Sequence, residues 1–400
     1  MKAAMRSHLA PAGAAALLVL CLFTSSATGG LAGGPARAVT AGITIYVDDD
    51  APNDAGPNDP NVSDPLEDGS AEHPFDRVQE ALDVALPVDL VQILPGAYLE
   101  DLVAPRESYT IRGSGRAATT LGPAAAGRFD LDGTCPALSL GALTLHDLRL
   151  TLDPYACARL VLEEVDLVRS SLVVSHGRDY GDCLVRMRDV GMTGSSLLVD
   201  WVGGTVFAEI EDLSATGGWF SFGAINSARL DLTLRNILAP DLVLSAYESW
   251  FSGPGSFITV NDSTIGGIIT YLENGPPDMT LDVNNVRFTG RGIYRFTSSE
   301  GETTIVRDSV FENGGIRIVN PGCRHDCQDA EDNALITGSV FQNAGIDYEA
   351  GRTYEAWIPG QDRFSLEVDG NRFRRGGIRA LYPSPTRRSC RLADQGRRPH

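Results

Sequence analysis

The sequence predicts an all-β fold, a three-faced parallel β-solenoid of about a dozen coils entered through a short N-terminal helix. Three observations predict it. The phrase "RDSVFENGGIRI", starting at Arg307, returns as "TGSVFQNAGIDY", starting at Thr337. Apolar residues fill three columns when the chain is cut at steps mostly in the low twenties, a repeat length typical of solenoids. Within each copy these residues alternate with polar ones, the period-two pattern of short strands.

The central column, anchored on Phe311, runs Leu145, Leu167, Met192, Ala215, Ala239, Ile265, Phe288, Phe311, Phe341, Phe373. Five positions earlier stand Leu140, Leu162, Met187, Ile210, Leu234, Val260, Val283, Val306, Ile336 and Val368. Five positions later stand Leu150, Leu172, Leu197, Phe220, Leu244, Ile293, Ile316, Ile346 and Ile378, with Ile268 filling the shortened copy. Stacked coils bury such columns as ladders, each coil against its neighbours.

Between the first two strands lies a column of Asp189, Asp212, Asn236, Asp262, Asn285 and Asp308. Asx side chains bond their own backbone and tolerate left-handed conformations, so this column marks a corner. Glycine pairs mark the next one: Gly217-Gly218, Gly266-Gly267, Gly314-Gly315 and Gly376-Gly377, read here as suppliers of positive φ. Cys135 and Cys157 share a column of adjacent coils, about 22 residues apart, and are expected to form a disulfide. Cys183 is displaced from that column by one position.

Before the first column, Val78, Ala81, Leu82 and Ala85 recur at helical spacing, with Pro74 suited to a first helical turn and Pro87 ending the pattern. A helix here caps an otherwise open solenoid end. The segments "IYVDDDAPND", "DGSAEHPFDRVQEALDVA", "VQILPGAYLED" and "YTIRGSG", together with the repeats, resemble the right-handed parallel β-helix proteins of the pectin-lyase-like superfamily, in particular exported bacterial members. Val88-Asp89 stands where such segments usually carry Gly-Asp. The resemblance spans roughly 43–382 and implies a fold more than a function, because that fold hosts enzymes, adhesins and non-catalytic surface proteins.

The chain start reads as a secretory signal over 1–27: Lys2 and Arg6, the apolar run Ala14–Phe23, then small residues. The further division is a linker over 28–42, an N-terminal strand, acidic loop, helix and first coil over 43–100, the β-helix over 101–382, and an Arg-rich tail over 383–400. No transmembrane segment is expected after signal removal. A net charge of −19 argues against nucleic acid as a partner, since binding it requires excess Lys and Arg. The run Asp48-Asp49-Asp50, with Asp54, Asp59 and Asp64, reads as a flexible acidic loop.

Candidate chemistry lies in the loops that follow each third strand. "SHGRDYGD" carries His176, Arg178, Asp179 and Asp182, and "NPGCRHDCQDAEDN" carries Arg324 and His325; these six are the catalytic candidates. Trp250, Tyr271 and Trp357 are candidates for stacking on sugar rings. Cys323 and Cys327 read as a small disulfide loop before a zinc site, because exported chains favour disulfides. Asp326, Asp329, Glu331 and Asp332 are candidate Ca²⁺ ligands. The resemblance implies lyases that use Ca²⁺ with Arg or Lys, or hydrolases with paired Asp. Of the hydrolase motifs only "SHG" at 175–177 is present in part. The expectation is therefore a secreted or cell-surface β-helix, non-catalytic, binding glycans or structuring the envelope. The alternative is a polysaccharide lyase or glycoside hydrolase acting on acidic polysaccharide at the loop edge.

Overall fold

A computed structural model describes residues 42–49, 66–123, 127–154, 156–174, 181–202, 204–225, 229–249, 255–273, 279–297, 302–320, 331–350, 363–381 and 389–392. They form a parallel β-solenoid, and every described strand pairing is parallel. All three sequence columns become ladders in register. Leu140 pairs with Leu162, Val306 with Ile336, Phe311 with Phe341 and Ile316 with Ile346, each one turn apart. These residues are buried, so the core is one continuous file of apolar rows along the solenoid axis. The rings of Phe288, Phe311, Phe341 and Phe373 stack with centroids 4.6, 4.7 and 4.8 Å apart, the interstrand spacing itself.

Complete three-faced turns are slightly fewer than the dozen that the columns predict. Thr44–Val47 and Ser389–Leu392 each add a strand to the first face alone, and the turn holding Leu90–Ile93 and Gly96–Leu99 has no third strand.

The Asx column is the first corner. Asp189, Asp212, Asn236, Asp262, Asn285 and Asp308 all adopt φ between 48° and 55°. Ala142 and Glu164 extend the same corner into earlier turns, at φ 51° and 57°, without the Asx side chain that eases it. Asn236 donates to Asp212 at 2.5 Å and Asn285 to Asp262 at 2.8 Å, giving the corner a partial side-chain ladder. A buried polar row lines the next position: the backbone N–H of Ser309 donates to the Ser339 hydroxyl and that of Ser339 to the Asn371 amide oxygen. The second corner has its own serines, the Ser170 N–H donating to the Ser195 hydroxyl.

The glycine corner has two physical causes. Gly217 and Gly218 take positive φ, as expected, but Gly266-Gly267, Gly314-Gly315 and Gly376-Gly377 do not. There the requirement is close approach: a Cβ on Gly315 would stand 2.0 Å from the Gly345 carbonyl oxygen.

The helix forms over Val78–Val84 and buries Val78, Ala81 and Leu82 against the first turn. Pro74 lies ahead of it instead of in its first turn, and Arg77 at the N-cap supplies no side-chain bond. Glu100, just past the strand Gly96–Leu99, caps the helix: Val78 N–H donates to Oε1 at 2.7 Å and Gln79 N–H to Oε2 at 3.1 Å. Asp89 closes the turn after the helix, accepting from Leu86 N–H at 2.8 Å and Ile43 N–H at 2.9 Å. Part of the acidic run is likewise built into the fold. Asp49 is buried in the first turn and accepts from Ala97 N–H, so it is not part of a flexible loop; Asp50, Asp54, Asp59 and Asp64 lie outside the described residues.

Candidate functional site

The third face presents a groove whose floor is the bare backbone of the glycine corner. Gly315, Gly345 and Gly377 carry no side chain to fill it, and the space above them is about 780 Å³. One outward column crosses it: Ile269, Tyr294, Arg317, Asp347 and Arg379, each paired with the next across one turn. At about 4.8 Å per turn the column is roughly 19 Å long, the dimension of a chain ligand more than of a compact one. Arg291, Asn313 and Asn343 stand along the corner side.

The charges in the groove are unevenly satisfied. The Arg317 guanidinium lies over the Tyr294 ring at 5.8 Å and faces Asp347 at 3.9 Å and Glu349 at 4.0 Å. Arg291 and Arg379 are exposed and have no ion pair among the described residues. Two guanidinium groups and amide side chains offer hydrogen-bond donors beside an apolar strip of Ile269 and Tyr294, whose ring already has Arg317 over one face, so the groove can meet a sugar's hydroxyls but offers no open ring face there.

The sequence candidates are distributed unevenly. Asp182 is exposed and accepts from Thr205 N–H at 2.9 Å, tying one turn to the next. Tyr271 has a ring on either side, Tyr247 at 5.5 Å and Phe296 at 4.8 Å, so stacking positions that a sugar would need are taken by this chain's own rings. Glu331 and Asp332 lie on the strand Glu331–Thr337. His176, Arg178, Asp179, Trp250, Cys323, Arg324, His325, Asp326, Cys327, Asp329 and Trp357 lie outside the described residues. Among the described residues no group of three or more His, Cys, Asp or Glu side chains is placed to hold a metal ion.

Cys135 and Cys157 form the expected disulfide, with Cα atoms 4.5 Å apart. Cys183 is the next ladder partner of Ala158, not of Cys157, and is buried as a free thiol. Burial pushes that thiol up to about 12, with Asp182 adding to the shift.

Sequence reasoning missed a polar cluster on the second corner. His146 Nδ1 lies 2.9 Å from Asp147 Oδ2, and Arg169 meets Asp147 Oδ1 at 2.6 Å through Nε and His146 Nε2 at 3.0 Å through Nη2. Arg169 holds the Asp147 carboxyl below its usual range, mainly by that hydrogen bond. Because the guanidinium can only donate, His146 Nε2 accepts and Nδ1 carries the proton toward Asp147. Both ring nitrogens are therefore engaged, leaving none for proton transfer to a substrate. The available signal was "HD" at 146–147, with Arg169 one repeat later. Arg116 is a second such case, bridging Asp189 at 2.6 Å and Asp166 at 3.5 Å from an earlier corner.

Compared with known proteins, the chain matches no family model and no curated sequence.

Proposed function

We propose that the protein is an exported, non-catalytic β-helix of the pectin-lyase-like type that binds glycan chains along its third face, at the cell surface or in the envelope. The observation that carries this reading is the groove over the glycine corner, with Tyr294 and Ile269 beside Arg291 and Arg379, which have no ion pair among the described residues. Its length suits an extended polysaccharide, and its arginines suit acidic or sulfated sugars better than neutral ones. The secretory signal and the disulfide Cys135–Cys157 support export.

The test is a glycan panel on the mature protein, read for binding and for ultraviolet absorbance of unsaturated products, with Ca²⁺ and with chelator. Binding without product is expected. Arg291→Ala and Arg379→Ala should each weaken it tenfold or more, given about 1.5–3 kcal/mol for a hydrogen bond to a charged group. Binding that ignores both substitutions would remove the groove from the account. Absorbance that requires Ca²⁺ would replace the binding reading with a lyase working at the loop edge.

A further inference from the structure

The row that leaves the groove floor bare continues into earlier turns as side chains. Trp219 pairs with Val243 one turn on, Val243 with Gly267, and Gly267 with Gly292. A Cβ on Gly267 would stand 2.8 Å from the Gly292 carbonyl oxygen, so that turn admits no side chain. At Val243 and Trp219 the strand has room for one, and the Trp219 indole is 49% exposed. Among the described residues it has no stacked ring and no hydrogen bond.

Beside this row runs the outward column of the groove. It passes from Tyr294 and Ile269 to Ser245 and Ser221, each paired across one turn. Both serines are half-buried, so the floor here is two short hydroxyl side chains. Trp219 and Ser221 lie two positions apart on one strand, hence on the same side of it, and Val243 and Ser245 repeat the arrangement one turn later. The stacked rings of Tyr247 and Tyr271, two positions beyond Ser245 and Ile269, line the other side. The groove thus runs on as a channel over serines, between Trp219 and Val243 on one side and tyrosines on the other. Its arginines lie at the opposite end, whereas Trp219, Ser221, Val243 and Ser245 are uncharged and Asp241 is exposed just before Val243.

We infer that Trp219 is the end platform of the glycan track, stacking on an uncharged sugar of a chain whose acidic sugars lie among the groove arginines. The inference rests on the glycan-binding reading and adds to it a residue, a direction and a dependence on length. Arg317 covers one face of Tyr294, so Trp219 supplies the open ring that the groove lacks. An indole beside two serine hydroxyls meets the C–H face and the polar rim of a sugar together. Three turns separate Trp219 from the turn of Tyr294, roughly 14 Å at the spacing of parallel strands, so a chain confined to the groove gains nothing from the indole.

The experiment is a binding titration of the mature protein with hyaluronan oligosaccharides, in which uronates alternate with neutral sugars, in one set confined to the groove and one long enough to reach Trp219. Trp219→Ala should weaken the long set about threefold to tenfold, the range of a ring-stacking contact, and leave the short set unchanged. Trp219→Phe, which keeps a ring, should recover most of that loss. The ratio of wild type to Trp219→Ala should not move with salt, because no charge is involved, while the loss from Arg291→Ala should shrink as salt rises. Ser245→Leu leaves the indole in place and fills the channel before it, so it should give the same length-selective loss independently. Long chains that respond to Arg291→Ala but to neither Trp219→Ala nor Ser245→Leu overturn the inference and leave the groove reading standing. Equal weakening of both sets overturns it as well, since a general disturbance of the fold would do the same. A wild type that binds neither set overturns it by removing the alternating chain it names, and the groove reading then stands or falls on the wider glycan panel.

Discussion

Arg295 and Glu302 form an ion pair inside the solenoid: Arg295 Nε lies 2.9 Å from Glu302 Oε2, with the arginine wholly buried and the glutamate 3% exposed. The guanidinium also donates to Thr303 O at 2.9 Å, Thr304 Oγ1 at 2.7 Å and Met279 O at 2.8 Å. Every neighbour in the Arg295 column that pairs with it is smaller or uncharged, Thr270 before it and Ile318 after it. The charge is held inside by its partners and not by the ladder.

Removing one partner strands the other. Arg295→Met should cost about 3–5 kcal/mol, the usual penalty for an uncompensated buried charge, seen as a lower urea midpoint. Adding Glu302→Leu to it should recover most of that loss. If the double variant is no better than the single one, the charge pair is not the source.

Glu100 gives a pH dependence with a definite sign. Burial raises its carboxyl above the usual value, and the bonds from Val78 and Gln79 oppose this only in part. The native chain therefore holds this proton to higher pH than the unfolded chain. The stabilisation linked to it is complete below the ordinary glutamate value and is lost as pH rises through the raised one. Urea midpoints of the wild type should fall relative to Glu100→Gln as pH increases from about 4 to 8, a range that begins near the ordinary glutamate value. A constant difference between the two would remove the linkage.

The disulfide closes a loop with a sequence separation of 22 residues. Replacing both Cys135 and Cys157 with serine should lower stability by about 2–4 kcal/mol by thermal or urea unfolding. Cys183 should resist thiol reagents at pH 8 in the native protein, because its thiol is pushed up to about 12, and should label on unfolding. Peptide mapping after alkylation reads this, and native labelling at Cys183 would contradict its burial.

Phe311 lies between Phe288 and Phe341 with no exposed surface. Phe311→Ala opens a cavity in the middle of the ring ladder and should cost about 3–5 kcal/mol in a calorimetric or urea measurement. Phe373→Ala, at the half-covered end of the same ladder, should cost clearly less. Equal losses would mean that the ladder does not weaken toward Phe373.

How far the sequence is legible depends on which way a side chain points. An inward residue has one duty, to meet its counterpart one turn away. Leu162 under Met187 or Val306 under Ile336 is therefore visible as a column even when loops change length. The Asx corner is visible for the same reason, since only a few residue types ease a positive φ. Glycine at Gly315 was visible too, but its cause was not: a crowded backbone neighbour leaves the same residue as a positive φ does.

By itself, then, the sequence determined the solenoid, its register, its two corners and the disulfide, because each follows from one pattern repeated along the axis. The tertiary structure alone decided that Glu100 caps the helix, that Arg116 reaches Asp189, that Arg169 occupies His146, and that Tyr271 lies between two rings. Those contacts join side chains brought together by turns of unequal length, so neither partner carries a local sign of the other. The groove at Tyr294 and Arg379 is of this second kind, formed where glycines leave the backbone bare and outward residues from successive turns converge.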